Sequence, residues 1–157
     1  MNTSEVLDKY KKAISSILKC EPSDIKFYIN NSKTEIKSVH YHKLDWCLGY
    51  YKVIQQIGNT QKIISTWSLY QLPHCCAFMV STNVVVAIDY RNKKIGTILN
   101  QLRQDIGKLL NFSAILCTDI DQNIYQKKIL ETNGWKNIHS LVNKRTNNKV
   151  HLSVIDI

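Results

Sequence analysis

Six consecutive residues, Arg91-Asn92-Lys93-Lys94-Ile95-Gly96, bring charge, a glycine and a helix start to one place. The apolar run Val84-Val85-Val86-Ala87-Ile88 precedes them, as expected of a strand buried on both faces. After them Ile95, Ile98, Leu99, Leu102, Ile106, Leu109 and Leu110 recur with the period of a helix. A strand that turns directly into a helix leaves the first helical N–H groups without partners at the positive end of the dipole. That is a natural anion site, and Lys93 and Lys94 add charge at its rim. The candidates for moving a proton are His40, His42, His74, Asp119 and Asp121. His40-Tyr41-His42 reads as the polar end of a strand. Asp119 and Asp121 stand where the next helix needs a capping oxygen, so capping is the simpler expectation for both. The five cysteines, Cys20, Cys47, Cys75, Cys76 and Cys117, form no CxxC pair and have no histidine at zinc-ligand spacing. They are expected to be reduced, mostly buried thiols, with no metal site.

The elements that must position these residues follow from length and pattern. A chain of 157 residues with 44% hydrophobic and 21% charged residues suits one domain, which excludes a disordered chain or a disulfide scaffold. No apolar window approaches the ~20 residues of a membrane span, and no charged-then-apolar leader opens the chain, so a cytoplasmic protein without a membrane partner is expected. Residues 4–19 carry the stripe of an amphipathic helix, with Asn2 as its cap. Residues 25–29 and 35–41 read as strands, 43–57 as a helix ending at Gly58-Asn59, and 63–72 as a strand. A strand at 84–88, a helix at 95–110 and a strand at 112–118 form a right-handed crossover and a parallel pair. A short helix ending at Asn133-Gly134 follows, then a hairpin of residues 136–142 and 149–155 around a basic tip. The class is α/β.

The run from Val86 to Gly96 resembles motif A of the GNAT superfamily of N-acyltransferases, whose pattern is Arg or Gln, two residues, Gly, one residue, then Gly or Ala. The stretch from Asp121-Gln122-Asn123 to Asn133-Gly134-Trp135 is similar to the later motif of that family, in which an Asn opens the helix after strand five and a Gly-aromatic pair closes it. The likeness covers roughly residues 80 to 157 and extends to small GNAT-like proteins often encoded by bacteriophages. It implies a mixed, twisted sheet flanked by helices, with strands four and five splayed around the arm of acetyl-CoA. Residues 1–80 would form the acceptor side and 81–157 the cofactor half. The resemblance implies that Arg91, Lys93, Lys94, Gly96 and Thr97 hold the pyrophosphate and that Asn123 contacts the arm. A backbone N–H near Val86 or Ile88 would hold the thioester carbonyl. Two positions depart from the pattern: Lys94 replaces its first glycine, and Leu130 stands where many members place a tyrosine as general acid. Tyr125 is the nearest substitute, and Asp119 and His40 complete the catalytic candidates. Thr82-Asn83 occupies the place of a glutamate that serves many members as base.

Lys and Arg number 21 against 12 Asp and Glu, a formal charge of +9, which favours a polyanionic partner. Acyl-CoA with an amine acceptor of unidentified class satisfies that expectation. So does nucleic acid, modified or bound by a GNAT-like protein, and an inactive binder of another protein is the third option. Monomer and dimer both stay open.

Overall fold

The computed structural model describes residues 3–30 and 46–157. Helix α1 (Thr3–Leu18) forms because Val6, Tyr10 and Ile14 return to one face every fourth residue, and all three are buried. Strands β1 (Ile25–Asn30), β2 (Cys47–Ile57), β3 (Thr60–Leu72) and β4 (Cys75–Val86) then pair antiparallel in sequence order. Helix α2 (Ile95–Leu109) crosses over to β5 (Ala114–Ile120), which lies parallel to β4. Helix α3 (Ile124–Thr132) leads to β6 (Lys136–Val142), and β7 (Lys149–Asp156) inserts between β6 and β5. The result is a seven-stranded mixed sheet in the order β1-β2-β3-β4-β5-β7-β6. Helix α1 packs on α2 and α2 on α3 over one face, where Tyr51, Trp67, Leu69, Met79 and Ile115 close the core.

Several expectations are corrected. Residues 47–57 form a strand, not a helix: Gly58-Asn59 is the two-residue turn of a hairpin, with Ile57 paired to Thr60 and Gly58 at φ 56°. The strand before the basic turn ends at Val86. Ile88 lies beyond it, 77% exposed in a short 3₁₀ turn at Ile88–Tyr90. The next strand runs to Ile120, so Asp119 lies inside it and Asp121 just after it. Neither caps α3; Asn123 does, its side-chain oxygen accepting from Gln126 N at 3.2 Å. All five cysteines are free, but Cys117 alone among them is buried. The expected strand at 35–41, with His40 and His42, and the expected cap Asn2 lie outside the described residues.

The functional geometry rests on how β4 and β5 meet. They pair at three positions only, Phe78–Ala114, Met79–Ile115 and Val80–Leu116, although β4 runs on to Val86 and β5 to Ile120. Against β3, the partner of β4 advances from Thr82 to Val85 while β3 steps back from Ser68 to Thr66, which places one extra residue at 83–84. Such a bulge bends its strand and leaves ladder groups unpaired. From Ser81 and Cys117 onward the two strands part, and the gap opens toward the start of α2.

Candidate functional site

Arg91 Nε donates to the Val86 carbonyl at 3.0 Å, which folds the turn back onto the end of β4. Asn92 and Lys94 both adopt left-handed backbone, each at φ 59°. The second of these explains the family pattern, because Lys94 holds in a non-glycine residue the conformation that the pattern's first glycine adopts freely. The first helical bond runs from Ile98 N to the Lys94 carbonyl at 3.1 Å, and no side chain caps the helix at Lys94. The N–H groups of Ile95, Gly96 and Thr97 therefore face out of the helix start; Arg91, Lys93 and Lys94, just before it in the chain, are exposed, with Lys93 Nζ 5.7 Å from the Tyr90 ring centroid. Gly96 is needed for a reason the motif does not state: a Cβ there would lie 2.7 Å from Ile129 Cδ1, on α3.

Below the gap, α2 supplies a buried polar cluster. Arg103, 1% exposed, donates from Nε to the Leu99 carbonyl at 3.3 Å and from one terminal nitrogen to Ser81 Oγ of β4 at 2.8 Å. Its other terminal nitrogen donates to Asn100 Oδ1 at 3.1 Å, and the same oxygen accepts from Trp135 Nε1 at 3.0 Å. On the β5 side the buried Cys117 thiol is near enough for the guanidinium to pull it down against the effect of burial. Arg103 thus lies across the point where β4 and β5 separate. Sequence reading missed it because arginine on a helix suggests a solvated face, although its place four residues after Leu99 put it on the apolar stripe.

A second cluster sits at the far side of β5. His151 of β7, 5% exposed, makes a 2.5 Å hydrogen bond through Nε2 to Asp121 Oδ1, while its Nδ1 lies 2.9 Å from Ser140 Oγ and 3.0 Å from Asn137 Nδ2. The hydrogen bond from His151 holds the exposed Asp121 carboxyl below the usual range. Asp119 pairs across the ladder with His151, and its Oδ1 is buried without a hydrogen-bond partner. A cavity of about 40 Å³ between Asp119, Lys127, Glu131, Asn137 and His151 has room for a water or two. His151 was not among the sequence candidates, since a lone histidine in an alternating strand carries no signal of a partner.

Burial pushes the Asp119 carboxyl above its ordinary range, against the pull of His151 and Lys127. A carboxyl that holds its proton more tightly when folded favours the fold below its unfolded pKa, about 4, and that contribution is lost as pH rises through the folded value. Asp119→Asn is therefore expected to melt above the wild type at neutral pH, with the difference shrinking as the buffer approaches about pH 4. A difference in melting temperature that does not change with pH would contradict this account.

The other candidates separate. Tyr125 is 65% exposed in the first turn of α3, whereas Leu130 is 2% exposed in the core, so Tyr125 does not occupy the place of the missing tyrosine. Val86 remains in register with Ser65 of β3 and Ile88 stands outside the sheet, while the bulge at 83–84 lies in the stretch of β4 beyond its last pair with β5. Thr82, one of the two residues that the resemblance sets against the glutamate, has its hydroxyl buried without a partner.

No protein-family model matches the chain, and no curated protein sequence matches it. Solved structures do. The IAA acetyltransferase from Bacillus cereus ATCC 14579 superposes with a TM-score of 0.63 at 12% identity over 85% of this chain and 99% of that one. A GNAT family acetyltransferase from Elizabethkingia anophelis with acetyl-CoA bound gives 0.63 at 14% identity over the same shares, 85% and 99%. The spermidine/spermine N-acetyltransferase SpeG from Vibrio cholerae gives 0.58 at 15% identity over 69% of this chain and 66% of its own. This chain has the fold of the GNAT acetyltransferases.

Proposed function

We propose that the protein is an N-acyltransferase that moves the acetyl group of acetyl-CoA to an amine. The observation that carries the reading is the coincidence of an uncapped helix start, preceded in the chain by three exposed cations, with a gap between parallel strands that opens toward it. The pyrophosphate would meet the N–H groups of Ile95, Gly96 and Thr97, with Arg91, Lys93 and Lys94 supplying charge. The arm would lie between β4 and β5 and pair with their free backbone edges. Asn123 spends its side-chain oxygen on capping α3, so its amide N–H groups are what remain for the arm. The unpaired backbone of the bulge would hold the thioester carbonyl. That the neighbour from Elizabethkingia anophelis was solved with acetyl-CoA supports the choice of donor.

The acceptor amine must lose a proton, since an alkylamine of pKa about 10.4 is under 0.1% neutral at pH 7. Asp119 is the carboxylate on β5 past the parting of the strands; His151 lines the same cavity and bonds the exposed Asp121, so a water held there would link Asp119 to solvent. We assign proton removal to this route. Calorimetric titration with CoA, together with mass spectrometry for CoA species on the purified protein, tests the reading. Failure to bind CoA overturns it.

A second reading is favoured by the placement of cations. The β6–β7 tip meets the β5–α3 turn, with Asp121 N donating to the Lys149 carbonyl at 3.3 Å and Gln122 Nε2 to Asn148 Oδ1 at 3.2 Å. Lys144, Arg145 and Lys149 therefore share one end of the sheet with the C-terminal ends of the parallel strands β4 and β5. If that end binds a nucleic-acid backbone, neutralising all three should flatten the plot of log affinity against log salt by roughly two to three units, about 0.7 to 0.9 for each phosphate that loses its cation. An unaltered slope assigns the tip to solvent and the acceptor to a small-molecule or protein amine.

A further inference from the structure

Arg103 is a fully buried cation for which the described residues offer no carboxylate. Its three hydrogen bonds, to Leu99, Ser81 and Asn100, occupy three of the five N–H groups of a guanidinium. In the same cluster Asn100 Nδ2 is buried without any partner. Buried charge left uncompensated destabilises a fold, and buried donors left unspent add to the penalty. Ser81, which Arg103 meets, lies one residue past the last parallel pair at Val80 and Leu116, so the guanidinium stands where β4 and β5 diverge. An arm entering from the open end of the gap would bring its reactive end there.

We propose that Arg103, with Asn100, stabilises the sulfur of CoA as a thiolate when the acyl group leaves. The proposal rests on the reading of the gap as the acyl-CoA site. In the transfer the amine nitrogen forms a bond to the thioester carbon, and the C–S bond breaks with its electron pair on sulfur. The amine's proton goes to the Asp119 route. Arg103 keeps all its protons throughout and supplies charge alone; the thiolate afterwards takes a proton from water. This division explains why the position of the family's general acid can be filled by Leu130, an apolar side chain sealed in the core. A cation beside the sulfur lowers the free energy of the anion directly, so no acid has to meet it.

The site already tolerates sulfur. Cys117 faces Arg103, and although the guanidinium pulls its thiol down, burial dominates and pushes it up to about 12, so it stays protonated near neutral pH. Burial also lowers Arg103 itself, to about 10, which leaves the guanidinium charged at pH 7. Cys117 of β5 is the titratable side chain beside Arg103, and as a protonated thiol it leaves the charge of the guanidinium uncompensated. Asp119, two residues further along that strand, makes no hydrogen bond to it.

The test needs no acceptor. The ultraviolet thiolate absorbance of CoA bound to the wild-type protein is measured as a difference spectrum against free CoA and protein alone, near neutral pH. Binding of CoA and of adenosine 3′,5′-bisphosphate, which lacks the arm and the sulfur, is titrated in parallel. The expected result is a thiolate fraction about tenfold above that of free CoA, lost in Arg103→Met while the bisphosphate affinity stays unchanged. Should Arg103→Met not fold, Arg103→Gln, which keeps a donor toward Ser81 and loses the charge, is read in the same way. Bound CoA with an ordinary thiol in the wild type overturns the proposal and leaves the cofactor reading standing. A wild type that binds the bisphosphate but not CoA overturns both, and so does one that binds neither.

Discussion

Replacing Gly96 with valine is expected to weaken CoA binding at least about a hundredfold, equivalent to about 2.8 kcal/mol. The loss of one or two charge-assisted hydrogen bonds between the helix start and a pyrophosphate, each about 1.5 to 3 kcal/mol, accounts for that magnitude. A second cause would produce a loss at the same site. The new Cβ would press on Ile129 Cδ1 at 2.7 Å, so the substitution also pushes α3 away from α2. The two causes part in a double variant. Ile129→Ala makes room for the added side chain, so Gly96→Val with Ile129→Ala should recover much of the stability lost by Gly96→Val alone. CoA affinity should stay low in that double variant, because the valine still blocks the phosphate. Calorimetry beside urea unfolding decides it: recovery of affinity along with stability would show that Gly96 serves helix packing and that the anion site lies elsewhere.

The contrast between Gly96 and Lys94 shows what a sequence can carry. The motif around them could be read because helix periodicity and strand hydrophobicity are local, and together they fix a strand–turn–helix without knowledge of any neighbour. The same holds for the β6–β7 hairpin and for α1, whose buried Val6, Tyr10 and Ile14 were spaced to be seen. The middle of the chain failed for an equally local reason: a Gly-Asn pair serves both helix ends and hairpin turns, and which one it makes depends on whether Val53 and Tyr51 find Ser65 and Trp67 across a ladder. The site itself was less accessible. Arg103, Asn100, Ser81 and Trp135 are far apart in the chain or hidden on an apolar stripe, so their convergence is a product of topology. Lys94 was visible as a departure, but its left-handed backbone, which makes it a strained substitute and not a loss of the turn, appears only in three dimensions.

Trp135 ties these levels together, and its removal is expected to have the largest effect on stability. It follows Gly134, which turns left-handed at φ 81° and ends α3 with Trp135 N donating to the Leu130 carbonyl at 3.1 Å and Gly134 N to the Glu131 carbonyl at 3.3 Å. In this Schellman arrangement the residue after the glycine packs back on the helix, and both Trp135 and Leu130 are buried in the core. Trp135→Ala should cost about 3 to 5 kcal/mol through the cavity it leaves. Trp135→Phe isolates the polar part. It keeps most of the ring volume and deprives Asn100 Oδ1 of one of its two donors, at a cost of about 1 to 2 kcal/mol. Because that oxygen also receives Arg103, the two side chains are coupled: Trp135→Phe and Arg103→Met together should depart from additivity by about 0.5 kcal/mol or more in urea unfolding. Strict additivity would mean that the indole and the guanidinium act independently and that the cluster under the gap is not a unit. With coupling, the end of α3 reaches through Asn100 to the cation at the parting of β4 and β5, and a change in how α3 terminates becomes a change in how that cation is held.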